Sequence, residues 1–320
     1  MYQLYKIKHP EIFQGKIFQG KWKKNNYFEG WYYKLIDSTK EHALAIIPGV
    51  SINREDTHAF IQVLDMGNTV SYVRYDIADF QFSESKLEIM IGDNYFSRDR
   101  IRLDIIGEEI KLNGELMFNN IIELPKTFLR PGIMGPFSYL PFMECYHGII
   151  NINHDINGYL NLSGNQVDFS NGYGYIEKDW GRSFPETWIW FQSNHFKTSD
   201  VTIMFSVAKI PFLGSAFTGF LSFLRLQEHT FVFATYTGAK IRKLICNSKG
   251  IEVIIEDFRF RMEMRATTSQ GGEIKAPKNG LMNRNITESI NAVVNVRFSK
   301  RTGSILYEGT GTNAGLEIVE

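Results

Sequence analysis

The segment from Gly172 to Pro185 holds the densest run of residues able to do chemistry, with Tyr173, Tyr175, Glu177, Lys178, Asp179, Trp180 and Arg182 close together. Read as a strand, it points Tyr173, Tyr175, Glu177 and Asp179 to one face and Ile176, Lys178 and Trp180 to the other. Two carboxylates on one buried face repel, which raises a pKa and leaves a protonated acid near neutral pH. On an exposed face the same residues form a ladder in which Lys178 and Arg182 neutralise Glu177 and Asp179. Alternation alone admits both arrangements.

Two other segments carry polar groups among large aromatics. In Trp188 to Phe196, the residues Trp188, Trp190, Gln192 and Asn194 share a face, so two indoles lead into two neutral hydrogen-bonding groups. That series suits the wall of a pocket for a ring with polar substituents, although either Trp taken singly is explained by core packing. In Tyr27 to Lys34, Glu29, Trp31 and Tyr33 share one face and Phe28, Tyr32 and Lys34 the other. An inward Glu29 needs a partner to offset its desolvation; otherwise it belongs on a rim.

The elements that must hold these residues read as strands throughout. Short β-branched and aromatic runs such as Trp31 to Ile36, Thr57 to Leu64, Arg100 to Ile105, Val201 to Lys209 and Ala292 to Phe298 are separated by turn residues, and no amphipathic helix of three turns interrupts the first half. Many short strands with frequent turns describe an all-β chain, and closure into barrels hides their edges. Pro125, Pro131, Gly132, Gly135, Pro136 and Pro141 crowd a segment unsuited to regular strand, which places the expected boundary between two β-barrel or β-sandwich halves at 1–135 and 136–320. No repeat is legible between them.

Composition narrows the function classes. Lys+Arg and Asp+Glu are both 35, so no net field draws the chain to nucleic acid. The aromatic share of 14% suits strand cores and equally a pocket for an apolar ligand. Cys145 and Cys246 read as free thiols of a cytoplasmic protein. The apolar stretch Ile210 to Leu226 is broken by Pro211, Gly214 and Gly219, so peripheral membrane contact is the most expected of it. Scattered His residues and distant Cys residues point to no metal site, and Gly309 to Ala314 precedes a strand rather than a helix, against a dinucleotide fingerprint. No cofactor is expected.

Taken together, Phe28 to Lys34, Glu177 to Pro185 and Trp188 to Gln192 resemble the tocopherol cyclase-like family, with its F-E-G-W-Y-x-K, E-K-x-W-G-x-x-F-P and W-x-W-x-Q patterns. The chain departs from the plant pattern at Asp179 and Arg182, where plant members carry Asn and Gly. The resemblance implies two lipocalin-like halves, distantly similar to carotenoid hydratases, and an enzyme closing a chroman ring on a prenylated quinol. It implies a small isoprenoid ligand, Glu177 or Asp179 as the acid, and a substrate pocket of Glu29, Trp31, Tyr33, Trp188, Trp190, Gln192 and Asn194. A carrier of an apolar ring-containing molecule and an alkene hydratase are the alternatives. The segments are expected to converge on one cavity at or between the halves.

Overall fold

The computed structural model describes residues 16–212, 215–247, 250–267 and 270–320. Helical turns among them are short 3-10 segments at Ile77–Asp79, Gly135–Tyr139 and Thr235–Thr237. The rest of the regular structure is antiparallel strand in two sheets, of 12 and 11 strands, as the all-β reading expects.

The first sheet runs in the order Val70–Tyr75, His58–Asp65, Ala43–Ile52, Tyr27–Ile36, Gly172–Gly181, Cys145–Leu162, Lys111–Ile122, Arg100–Ile106, Asn94–Ser97, Glu88–Ile91, Phe80–Phe82. Asn165–Asp168 pairs with Cys145–Leu162 off this path. The second runs His229–Ala234, Ser215–Leu226, Val201–Phe212, Trp188–Ser193, Ile305–Val319, Leu281–Lys300, Phe260–Thr267, Gly250–Glu256, Lys240–Asn247. His195–Phe196 and Gly272–Lys278 add to its two long strands.

Both sheets follow one plan. In each, the first strand pairs with the last, Tyr27–Ile36 with Gly172–Gly181 and Trp188–Ser193 with Ile305–Val319. In each, the two edge strands are consecutive in the chain and joined through a single 3-10 turn, Ile77–Asp79 or Thr235–Thr237. A sheet whose edges are tied by so short a connection curls into a lipocalin-like barrel around its own core. Trp31, Tyr33, Phe96 and Ile176 sit in the first core, and Phe191, Phe205, Phe233 and Phe298 in the second. This internal repeat is one of topology, carried by different side chains.

The expected boundary at 135 is displaced. The first sheet continues to Gly181, because Cys145–Leu162 pairs with both Lys111–Ile122 and Gly172–Gly181. The Pro- and Gly-rich segment is thus a connection between adjacent strands of one sheet, and the passage to the second sheet lies between Gly181 and Trp188.

Alternation also gives each barrel an apolar outer face, and the two faces meet. Tyr32, Ala45, Ile149 and Tyr175 from the first sheet pack with Trp188, Trp190, Met204, Phe223 and Ile290 from the second in a third core. Lys34 crosses this interface, its ammonium donating to the carbonyls of Gln192 at 3.1 Å and Asn313 at 2.9 Å.

Candidate functional site

A cavity of about 170 Å³ opens between the sheets. Phe28, Gly30, Tyr32, His147, Glu177 and Asp179 wall it from the first sheet; Trp188, Trp190, Leu221, Ile286 and Glu317 wall it from the second; Met134 and Met143 come from the turn-rich connection. The wall is mainly apolar with a few convergent polar groups, the usual make-up of a small-molecule site.

Register explains which side chains reach it. Along Gly172–Gly181, Ile176 and Lys178 point into the first barrel, whereas Tyr175, Glu177 and Asp179 point to the interface. On the neighbouring strand Tyr32 lies opposite Glu177 and Gly30 opposite Asp179. In Trp188–Ser193, Ile189 and Phe191 belong to the second core while Trp188 and Trp190 face the cavity.

Glu177 is 4% exposed. It accepts the Tyr175 hydroxyl at 2.5 Å, and His147 Nε2 lies 3.6 Å from it. The other imidazole nitrogen, Nδ1, donates to Asp179 at 2.9 Å. Burial raises the Glu177 pKa to about 7; His147 opposes this, Asp179 reinforces it, and Tyr175 and Trp190 pull it back. Burial disfavours the His147 imidazolium, but Asp179 and Glu177 outweigh it and raise its pKa to about 9. The site therefore holds a carboxyl that titrates near neutral pH beside the hydrogen-bonded His147–Asp179 pair. His147, Glu177 and Asp179 also offer one donor atom each within 4.8 Å of one another, a set that could hold a divalent cation. The direct His147–Asp179 hydrogen bond accounts for the arrangement of those two without one.

Two further carboxyls reach this interface. Glu317 accepts Trp188 Nε1 at 2.5 Å, and Glu288 accepts the Tyr32 hydroxyl from the opposite sheet. Burial lifts Glu288 to about 8, against the Tyr32 hydrogen bond. Burial and the neighbouring Glu288 push Glu317 well above the ordinary carboxylate range. Lys34 is lowered by burial to about 7, despite Glu288 and Glu177.

The expected residues divide. Glu177, Asp179, Trp188 and Trp190 come together at the cavity. Glu29, Trp31 and Tyr33 do not: they occupy the other face of their strand, inside the first barrel, so the cavity is not shared with them. Glu29 is ion-paired at 2.5 Å with Lys178 and also accepts from Tyr27 and from the Gln19 backbone. Gln192 and Asn194 face the interface beyond the cavity wall; Asn194 ties the barrels by donating to Asn153 Oδ1 at 2.8 Å and to the Gly174 carbonyl at 3.0 Å.

Sequence reasoning missed Tyr32, His147, Glu288 and Glu317 as site residues. The signal for Glu288 was present: Ile286, Glu288 and Ile290 form one alternating face, a carboxyl between two apolar residues. Tyr32 could be chosen over Trp31 only once its register against Glu177 was known.

Both cysteines are free. No helix among the described residues is long and apolar enough to cross a membrane.

A family model described as tocopherol cyclase-like matches residues 126–319. "Probable tocopherol cyclase, chloroplastic" of Oryza sativa subsp. japonica is 30% identical over 82 residues, 26% of this chain and 17% of that protein. The chloroplastic tocopherol cyclase of Zea mays is 34% identical over 62 residues, 19% of this chain and 13% of that protein. The matched stretches thus span less than a fifth of either relative. Among solved structures, CghA with Sch210972 superposes with a TM-score of 0.58 at 11% identity, over 92% of this chain and 88% of that one. A protein described as AttH from Nitrosomonas europaea gives 0.54 at 14% identity, over 92% and 93%. Those two likenesses speak to fold alone. With more than half of its length matched by the family model, including His147, Glu177 and both cavity tryptophans, the chain belongs to the tocopherol cyclase-like family.

Proposed function

We propose that the chain is an isoprenoid-modifying enzyme that protonates a trisubstituted alkene and captures the tertiary cation with a neighbouring hydroxyl, closing a chroman ring on a prenylated quinol. The observation that carries this reading is a carboxyl, Glu177, in the wall of an aromatic cavity, where burial raises its pKa to about 7. An alkene is a very weak base, so its donor must be acidic and yet still hold its proton at working pH; a raised carboxyl pKa meets both needs. Trp188, Trp190 and Tyr32 supply ring faces for the cation. Glu177 is preferred to Asp179 as donor because Asp179 is engaged by the His147 imidazolium.

The bookkeeping closes without a cofactor. The Glu177 proton forms the new C–H bond, the hydroxyl oxygen forms the C–O bond, and the hydroxyl proton leaves to a base. The product has the mass of the substrate.

Incubation with a prenylated methylhydroquinone, followed by chromatography and mass spectrometry, tests this. An isomer of equal mass that elutes separately is expected. A product heavier by one water makes the enzyme a hydratase, and bound but unchanged quinol makes it a carrier; either outcome overturns the cyclase reading.

A further inference from the structure

Glu288 and Glu317 stand directly opposite one another on paired strands of the second sheet. Glu288 is fully buried, and Glu317 lies in the cavity wall. Each has one neutral donor of its own, Tyr32 for Glu288 and Trp188 for Glu317, and Glu288 Oε2 has no partner. The charged groups that act on the pair, Lys34, His147, Glu177 and Asp179, all come from the first sheet. Carboxyls placed opposite each other in a ladder repel when both are ionised, so each of Glu288 and Glu317 opposes the ionisation of the other. Glu177 approaches the same cavity from the other sheet. A ligand between the sheets therefore meets one carboxyl on each side.

We infer that Glu317 is the base that removes the nucleophile's hydroxyl proton, with Glu288, opposite it in the ladder, as the positioning residue that tunes its ionisation; this rests on the alkene-protonation reading above. The Glu177 O–H bond breaks as the C–H bond forms. The hydroxyl oxygen then bonds to the tertiary carbon, its O–H bond breaks, and that proton passes to the Glu317 carboxylate. Glu177 ends ionised and Glu317 protonated, and proton exchange with solvent resets both. The net change is an isomerisation. Acid and base sit on different sheets, so the spacing of the two barrels sets the distance across which alkene and hydroxyl must fit.

The test uses the full chain, prenylated methylhydroquinone as substrate, and methylhydroquinone without its prenyl chain as a binding probe read by tryptophan fluorescence. Glu317→Gln is expected to lower kcat by about 10²-fold or more, the usual contribution of a positioned acid or base. It should also weaken methylhydroquinone binding about tenfold, since an amide accepts a hydrogen bond less strongly than a carboxylate. Glu288→Gln is expected to stay active with the acidic limb of its pH–rate profile moved to lower pH, because removal of the facing carboxyl lets Glu317 ionise more easily. A Glu317→Gln variant with wild-type kcat, an unmoved acidic limb in Glu288→Gln, or unchanged methylhydroquinone binding overturns the inference. If Glu177→Gln is inactive in the same experiment, the protonation reading survives that result; if Glu177→Gln is fully active, the reading itself falls. Should Glu317→Gln fail to fold, the Glu288→Gln profile decides.

Discussion

Glu177→Gln should fold, bind quinol and lose turnover by about 10²–10⁴-fold, the range that a positioned general acid contributes. The amide keeps the shape of the side chain and its carbonyl still accepts the Tyr175 hydroxyl, but it has no proton to give. In the wild type, activity should fall as pH rises through about 7, where the donor ionises. The stability linkage has a matching sign. A carboxyl whose folded pKa is raised binds its proton more tightly when folded, so its contribution to stability is fully present below the unfolded value and lost as pH rises towards about 7. Glu177→Gln should therefore gain thermal stability relative to wild type as pH increases. Asp179→Asn tests a different role: the amide oxygen can still accept the His147 N–H but the negative charge is gone, which should lower the imidazole pKa, because Asp179 is the leading group that raises it. Turnover rates across pH, with melting curves on the same samples, check these outcomes; full activity in Glu177→Gln removes this carboxyl as the proton source.

Lys178→Met should have the largest effect on stability, about 3–5 kcal/mol, the range for breaking one side of a buried ion pair. Lys178 and Glu29 are both fully buried, so the substitution strands a carboxylate inside the first barrel. Burial already pushes Glu29 up and Lys178 down, and each partner pulls the other back. The ammonium also donates to the Ile17 carbonyl at 2.6 Å and lies over the Trp31 and Trp180 rings. Glu29→Gln combined with Lys178→Met should recover much of the loss, because no unpaired charge then remains. Chemical denaturation of the single and double variants measures both quantities, and a Lys178→Met loss below about 1 kcal/mol, the scale of an exposed pair, contradicts the buried-pair account.

The same two strands show what the sequence made legible. Their alternation is a local property, so the faces of Gly172–Gly181 and Trp188–Ser193 could be read correctly from spacing alone. Which face of Tyr27–Ile36 met the cavity was not local. It depended on the pairing of Tyr32 with Glu177, and both faces are rich in aromatics and carry a charged residue, Glu29 on one and Lys34 on the other. The familiar motif F-E-G-W-Y thus serves two ends: Glu29 and Trp31 lock the barrel interior with Lys178, while Tyr32 reaches the site.

The barrel boundary was misplaced for a related reason. Proline and glycine mark where a strand stops, but not whether the next strand returns to the same sheet. The segment after Ile122 returns, and it brings Met134 and Met143 to the cavity on the way. What the acids of the second sheet meet was hidden by distance: Glu288 and Tyr32 are joined by a hydrogen bond across 256 positions of sequence. Long-range pairing of this kind assembles the site, and periodicity within one segment carries no trace of it.

An isotope-edited infrared titration of the Glu177 carboxyl, assigned by its absence in Glu177→Gln, measures the protonation on which the chemistry depends. A protonated C=O band that persists to neutral pH and disappears around pH 7 is the predicted result. A carboxylate already formed near the ordinary value of about 4.3 would contradict a neutral acid at this wall, and with it the proposed alkene protonation by Glu177.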